Sequence, residues 1–462
     1  MYTVTNPATG ETVRSFEDAT DAEIDDALHR AASAFPAWRD TPVAERCAAL
    51  GRVADAMLDR QEELAQLITA EMGKPISAAR GEVATSAAII RFYADNAENH
   101  LQPEQLGDLG GSTAFVERQP VGVILGIMPW NFPYYQVARF AGPVLASGNT
   151  LLLKHAHQCP TSALALQEIF AEALSVPDAY VNIFASNEQI EALIPRPEIQ
   201  GVSLTGSERA GAAVAKTAGA ALKKVVLELG GSDPFIVLDD TELEAVAATA
   251  VSARLNNTGQ ACAAPKRFIV VDSAYDRFAE LFTEGMKAAT PGDPTDPDTI
   301  VGPLVSESAM QGLHAQIEDA KANGATVLAG GDRVGDTGAF YAPTVLADVT
   351  PGMRAYHEEL FGPASVLYRV ADDAEAVRLA NDSPFGLGST VFGADEGRAN
   401  AVAAQLEVGM VTVNGRRPNV PDLPFGGVKR SGFGRELGLY GMEEFLNHKV
   451  VAVLPSPAPA AR

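Results

Sequence analysis

From residue 121 to residue 414 the sequence alternates short apolar runs with segments of helical periodicity, and that alternation leaves few folds open. Strands are expected at 121–127, 150–154, 181–184, 201–204 and 225–227, with helices at 134–147, from 161 onward, at 188–194 and at 209–220 between them. A second series places strands at 235–238, 268–271, 326–329, 364–369, 390–392 and 410–414, separated by helices and by Pro/Gly-rich loops such as 290–297. Repeated strand–helix units build parallel, doubly wound sheets, so the chain is expected to be α/β, with ligand sites at the carboxyl ends of strands.

The first hundred residues read mainly as helix. The segment 21–35 has Ile24, Ala27, Leu28, Ala31 and Phe35 at helical spacing, with Thr20 as N-cap. The pattern repeats over 42–72 until Gly73-Lys74-Pro75 stops it, and 78–98 forms a third long helix. Residues 101–120 are polar and Gly-rich, with strand character at Ala114-Phe115-Val116, which suits a hairpin extending from the body. A length of 462 residues suggests two or three domains, and the Pro/Ala-rich tail 455–461 is expected to fray.

Several classes are disfavoured. No apolar run approaches the roughly 20 residues a bilayer demands. The N-terminus lacks the basic and apolar regions of a secretory signal, so a cytoplasmic protein is expected. Cys47, Cys159 and Cys262 are the three cysteines; an odd, sparse set without CxxC argues against a disulfide framework and a structural metal. The net charge of −24 argues against nucleic acid and anionic membranes as partners. Only 10 of the 35 basic residues are lysine, which fits a high-salt cytoplasm and a GC-rich genome equally.

Three residues carry chemistry. Cys262 lies in a loop opened by Gly259, Glu228 ends an apolar strand before two glycines, and Asn131 sits between Pro129-Trp130 and Phe132-Pro133. Singly, each has a plain structural reading: a buried thiol, a turn-capping carboxylate, an Asx-turn. Together they offer a nucleophile, a base and an amide donor on a rigid turn.

In order along the chain come Trp130-Asn131, Lys154, Gly206-Ser207, Glu228-Leu229-Gly230-Gly231, Cys262, Glu359-Leu360-Phe361-Gly362-Pro363 and Pro424-Phe425-Gly426-Gly427. This series resembles the aldehyde dehydrogenase superfamily over nearly the whole chain, and the Glu228 and Cys262 motifs, 34 residues apart, are specific together. The resemblance implies two doubly wound α/β domains and a small β bridging element. Residues 1–101 and 122–230 would bind the dinucleotide, 231–446 would be catalytic, and 102–121 with 447–462 would bridge subunits. It implies attack by a Cys262 thiolate on an aldehyde, an oxyanion held by the Asn131 amide and the Cys262 N–H, and thioester hydrolysis by water that Glu228 activates. A non-catalytic family member is disfavoured because Cys262, Glu228 and Asn131 occur together. A CoA-acylating relative would need no water-activating Glu228.

For the cofactor, the resemblance implies NAD or NADP. Gly206 and Ser207 open a helix whose N-terminus faces the pyrophosphate. Glu359 would hold the nicotinamide ribose and Phe361 would pack on the nicotinamide. Backbone at Trp130 and Leu229 would line the same cleft. Lys154, His155, Ala156 and His157 match the segment that grips the adenosine ribose. Many NAD-preferring relatives carry glutamate where this chain has His157, so NADP is favoured. The segments 154–156 and 423–438 resemble the short-chain succinate-semialdehyde dehydrogenases, whose substrate carries a remote carboxylate. Arg139, Arg254, Arg416 and Arg417 are the candidate cations for it, each with a structural or surface alternative. Neutral aliphatic or aromatic aldehydes are the alternative substrates. A protruding hairpin with unpaired edges points to a homodimer or homotetramer.

Overall fold

The computed structural model describes residues 1–108 and 112–454, so the expectation for the 455–461 tail lies outside the described residues. Two large sheets carry the chain. The first runs Gly432–Phe433, Lys224–Glu228, Ile199–Thr205, Val123–Ile127, Thr150–Lys154, Tyr180–Ile183. All its neighbours are parallel except Gly432–Phe433, which pairs antiparallel with Leu227–Glu228. The second runs Thr326–Ala329, Thr344–Ala347, Ala364–Val370, Arg267–Val271, Pro234–Val237, Gly388–Phe392, Met410–Val413. It too is parallel apart from its first strand. A third, antiparallel sheet joins Leu446–Val453 to Thr113–Pro120 and Glu104–Asp108.

The central strands are short, apolar and buried on both faces, as the unalternating runs require; every residue of Thr150–Lys154 and Arg267–Val271 is buried. In the first sheet the chain starts at Val123–Ile127, winds outward through Thr150–Lys154 and Tyr180–Ile183, then returns to the other side at Ile199–Thr205. The strand order therefore reverses between Val123–Ile127 and Ile199–Thr205. A crevice opens at the carboxyl ends of that pair. Trp130-Asn131 and Gly206-Ser207 lie just past those ends.

Several sequence expectations are refined. Thr20 caps the helix Asp21–Asp40 through a reciprocal pairing with Glu23. The segment expected as one helix over 42–72 is two, Val43–Asp59 and Gln61–Met72, divided at Arg60. An N-terminal hairpin of Tyr2–Thr5 with Thr12–Phe16 was not expected; its outer strand is largely exposed and carries little apolar signal. The strand Thr344–Ala347 was also missed. Pairing of Gly432–Phe433 with the first sheet places a piece of the 231–446 segment on the sheet formed by 123–228.

Two polar devices hold the turn that precedes the helix Pro133–Ala146. Lys74, in the Gly-Lys-Pro stop, donates to the Asn131 carbonyl (3.0 Å), sits 3.8 Å over the Phe132 ring and pairs with Glu82. Glu82 accepts the Tyr134 and Tyr135 N–H groups, 2.9 and 3.2 Å away, and so caps the helix. On the other side, buried His155 accepts the Ala156 N–H at Nδ1 (2.7 Å), which leaves Nε2–H to donate to the Pro133 carbonyl (2.9 Å). Both ring nitrogens are thus used by the neutral imidazole.

Lys74→Met should therefore cost about 3–5 kcal/mol in urea unfolding, because it strands the Glu82 carboxylate in the interior. His155 makes the fold acid-sensitive. Burial lowers it from 6.5 to about 4, so the unfolded chain binds more protons between those values. Stability is expected to be complete above pH 6.5 and to fall as pH drops toward 4. His155→Gln should flatten that slope in pH-dependent urea denaturation, by up to about 3 kcal/mol.

Candidate active site

Cys262 follows a turn that local preference opposes. The helix Leu243–Arg254 ends, and Asn257, Thr258 and Gly259 take left-handed φ of 53°, 56° and 73°. Gly259 is required there, since a Cβ would lie 2.2 Å from the Gly362 oxygen. Cations hold the turn. The Arg254 guanidinium donates to the carbonyls of Gly259 (2.6 Å), Gly362 (2.7 Å) and Pro265 (2.8 Å). Lys266 donates to those of Ala261 (3.0 Å) and Cys262 (2.6 Å). Asn131 lies against the same loop: its Nδ2 donates to the Gln260 carbonyl (3.1 Å), and Asn257 donates to the Asn131 carbonyl (2.7 Å). The amide expected to hold the oxyanion is thus beside the nucleophile segment, though bonded to protein in this state.

Cys262 is half-buried at a cleft of about 390 Å³ lined also by Tyr135, Arg139, Arg416, Arg417 and Phe425. Burial pushes its thiol up to about 11; Arg139 and then Lys266 oppose this, while Glu359 and Glu228 add to it. Glu228 ends the strand Lys224–Glu228 and is buried with neither carboxylate oxygen hydrogen-bonded. Its Oε1 packs on the backbone of Gly426, where a Cβ would come within 2.8 Å of it. Burial, then Glu436, push its carboxyl well above the usual range against the pull of Arg139. Glu228 is not among the residues lining the cleft, so it rests withdrawn beneath it.

Of the residues expected at the dinucleotide, Lys154, Gly206-Ser207 and Leu229 lie at or just past the carboxyl ends of first-sheet strands. Ser207 caps the helix Glu208–Ala220 by accepting the Ala210 N–H (3.3 Å), and Gly206 N–H donates to the Glu228 carbonyl (2.9 Å). Leu229 packs against Gly211 of that helix, where a Cβ would lie 2.6 Å from its side chain. Glu359 accepts from Gly231 N–H (3.1 Å) and pairs with Lys266 (3.1 Å). Phe361 meets the Trp130 ring edge-on at 5.6 Å. Lys154 ends the strand Thr150–Lys154, largely buried, with burial lowering its ammonium to about 8. Its Nζ lies 3.5 Å from Nδ1 of His157, whose ring packs 4.6 Å from Tyr2. His155 and buried Ala156 face the interior, His155 serving the Pro133 turn described above.

The candidate substrate arginines separate. Arg139, on Pro133–Ala146, is buried in an ion pair with Glu436 (2.5 Å) and lies 4.3 Å over the Phe425 ring. Arg417 lies 4.8 Å from the same ring, faces the Leu423 and Pro424 carbonyls at 3.4 Å and also interacts with the Tyr135 hydroxyl. Arg416 is exposed at the rim and donates to Ser252 (2.9 Å). Arg254 corrects the expectation: it does not line the cleft, because backbone carbonyls occupy its buried guanidinium. Sequence reasoning missed Lys74, Glu82, Lys266 and Glu436. A charged residue beside an otherwise apolar strand, as in Pro265-Lys266-Arg267, was the one available signal.

Comparison with known proteins agrees with this arrangement. The profile of the Aldehyde dehydrogenase family matches residues 1–451. The chain is 53% identical over 461 residues to the succinate-semialdehyde dehydrogenase [NADP(+)] of Deinococcus radiodurans, covering 100% of this chain and 96% of that one. It is 45% identical over 452 residues to a Mycobacterium ulcerans protein named succinate-semialdehyde dehydrogenase [NADP(+)] 1, covering 97% and 99%. Among solved structures it resembles the Streptococcus pyogenes succinic semialdehyde dehydrogenase in complex with NADP+, with a TM-score of 0.95, 41% identity and coverage of 98% and 99%. The parallel sheets, the nucleophile turn and the full-length match lead to one conclusion: this chain belongs to the aldehyde dehydrogenase family.

Proposed function

We propose that this protein oxidises succinate semialdehyde to succinate with NADP+. The observation that carries the substrate is the pair Arg139 and Arg417, both stacked on Phe425 in the cleft that holds Cys262. Arg139 is neutralised by Glu436, whereas Arg417 has no carboxylate partner among the described residues and is pushed down by burial. A half-buried guanidinium without an anion suits the remote carboxylate of the substrate.

NADP+ fits the same logic. Lys154 is largely buried, forms no salt bridge among the described residues and is adjoined by His157 where a glutamate would repel a 2′-phosphate; Asp18 acts on both from further away. Gly206 and Ser207 would take the pyrophosphate at the N-terminus of Glu208–Ala220. When bound, the dinucleotide supplies the hydride acceptor that converts thiohemiacetal to thioester. The protein does the rest. Cys262 attacks the carbonyl carbon as thiolate, its proton having left to water. Asn131 Nδ2 exchanges the Gln260 carbonyl for the substrate oxyanion, joined by the Cys262 N–H. Glu228, turned upward from its buried rest position, takes a proton from the water that hydrolyses the thioester.

We propose the division the family implies, 1–101 with 122–230 for the dinucleotide, 231–446 for catalysis, and 102–121 with 447–462 for bridging; the three sheets support it except at Gly432–Phe433, which pairs with the first sheet. We also infer a homodimer or homotetramer. Leu446–Val453 is a free sheet edge exposing Val450 and Val453, and Met410–Val413 is the edge of the second sheet. No helix among the described residues is long and apolar enough to cross a membrane.

Steady-state rates should show a higher kcat/KM for succinate semialdehyde than for butanal or benzaldehyde, and for NADP+ than for NAD+; a preference for neutral aldehydes would refute the substrate. Cys262→Ala should abolish turnover while retaining NADP+ binding by fluorescence titration. Arg417→Met should raise KM for succinate semialdehyde roughly 10- to 100-fold, the loss of about 1.5–3 kcal/mol expected for a charge-assisted bond, and leave butanal oxidation little changed.

A further inference from the structure

Two site-bearing segments, Ala261-Cys262 and the loop of Glu359, meet on the ammonium of Lys266, which no step above uses. Lys266 is 1% exposed. Its Nζ faces the Ala261 carbonyl at 3.0 Å, the Cys262 carbonyl at 2.6 Å and Glu359 Oε1 at 3.1 Å. Those contacts use all three donors of an ammonium. Glu359 Oε1 in turn accepts the N–H of Gly231, three residues beyond Glu228. A continuous polar path therefore runs from the Glu228 segment through Glu359 and Lys266 to the nucleophile. Arg254 already ties the loop shut through Gly259, Ala264 and Pro265, so loop closure alone does not account for a second buried cation. Burying an ammonium is costly, and an apolar side chain would fill the volume more cheaply.

We propose that Lys266 is a positioning residue for the nucleophile: bound to the Cys262 carbonyl on one side and to Glu359 on the other, it fixes the thiol at the cleft and, with Glu359, sets how readily it ionises. The charged groups facing the thiol are Arg139 from the helix Pro133–Ala146, Lys266 and Glu359, Glu228 from the end of its strand, and Arg417 from the loop after Met410–Val413. Arg139 and Lys266 favour the thiolate; Glu359 and Glu228 oppose it. Arg139 is already matched by Glu436, so the Lys266–Glu359 pair is the second balanced couple acting on the same sulfur. Removing one member of that couple must move the thiol in the direction of the charge left behind.

This inference rests on Cys262 being the nucleophile, and its test needs neither aldehyde nor dinucleotide, so it survives failure of the substrate and cofactor assignments. The measurement is the pH dependence of Cys262 alkylation by iodoacetamide in the full-length protein, read by peptide mass spectrometry, with circular dichroism as the check on folding. Lys266→Met should raise the midpoint by about one pH unit, the size of shift that loss of a neighbouring opposite charge produces. Lys266→Arg should restore it, and Glu359→Gln should lower it. A folded Lys266→Met protein with the wild-type midpoint overturns the proposal. Should Lys266→Met not fold, an unchanged or raised midpoint in Glu359→Gln overturns it equally.

Discussion

The nucleophile turn is held in a shape that its own residues do not favour. Two non-glycine residues and a glycine in succession adopt left-handed φ, at a cost of about 1 kcal/mol or more for each side chain that does so. What offsets that cost is carbonyl coordination by buried cations. Arg254 collects four carbonyl oxygens from three stretches of chain, and Lys266 collects two more with the carboxylate of Glu359. Because Gly362 belongs to the Glu359–Pro363 segment, the clamp that shapes the nucleophile loop also fixes the loop expected to hold the nicotinamide ribose. The Asn131 turn is fastened to the same place through Asn257 and Gln260. Buried cations on main-chain oxygen thus shape the nucleophile loop, and the amides of Asn131 and Asn257 register it against the first sheet.

The same arrangement explains why the resting site is quiet. Cys262 and Glu228 are both kept from ionising, the first near 11 and the second well above the carboxylate range, and burial is the main cause for each. Neither group is deprotonated by a single dominant partner. Two of the nearby cations arrive with their own anions, Arg139 with Glu436 and Lys266 with Glu359, which leaves Arg417 as the one near the thiol without a carboxylate partner among the described residues. A thiolate formed without substrate would be exposed to oxidation, so a balanced field that yields it only when water is displaced and charges shift is chemically useful.

How much of this was legible depended on the range of the interaction. The strands were visible because each buries a continuous apolar run, and the helices because their periodicity is local. Cys262, Glu228 and Asn131 were visible because glycines and prolines around them mark backbone constraint. The partners of buried charges were not: Lys74 meets Asn131 across 57 residues, and Lys266 meets Glu359 across 93 positions of sequence. Arg254 was misread for the same reason, since a buried arginine on carbonyl oxygens and a substrate-binding arginine are identical in sequence. The N-terminal hairpin escaped because one of its strands is exposed and polar.

Net charge and local charge point in opposite directions here, and the local term decides binding. The chain carries −24 overall, yet its cleft presents Arg416 and Arg417 without carboxylate partners among the described residues, beside Arg139 and Lys74, which are paired with Glu436 and Glu82. Surface carboxylates act across water and are screened within about 8–10 Å at physiological ionic strength. The cleft cations act over a few ångströms through protein, where screening is weak. Many of the acidic groups are, moreover, spent on exposed pairs such as Arg30 with Asp26 and Asp178, or Arg60 with Glu63 and Glu168. Such pairs contribute little stability individually, but they remove repulsion that would otherwise reach an approaching anion. An acidic exterior around a cationic cleft therefore slows the approach of anionic substrate and dinucleotide more than it weakens their capture, and added salt relieves the first while barely touching the second.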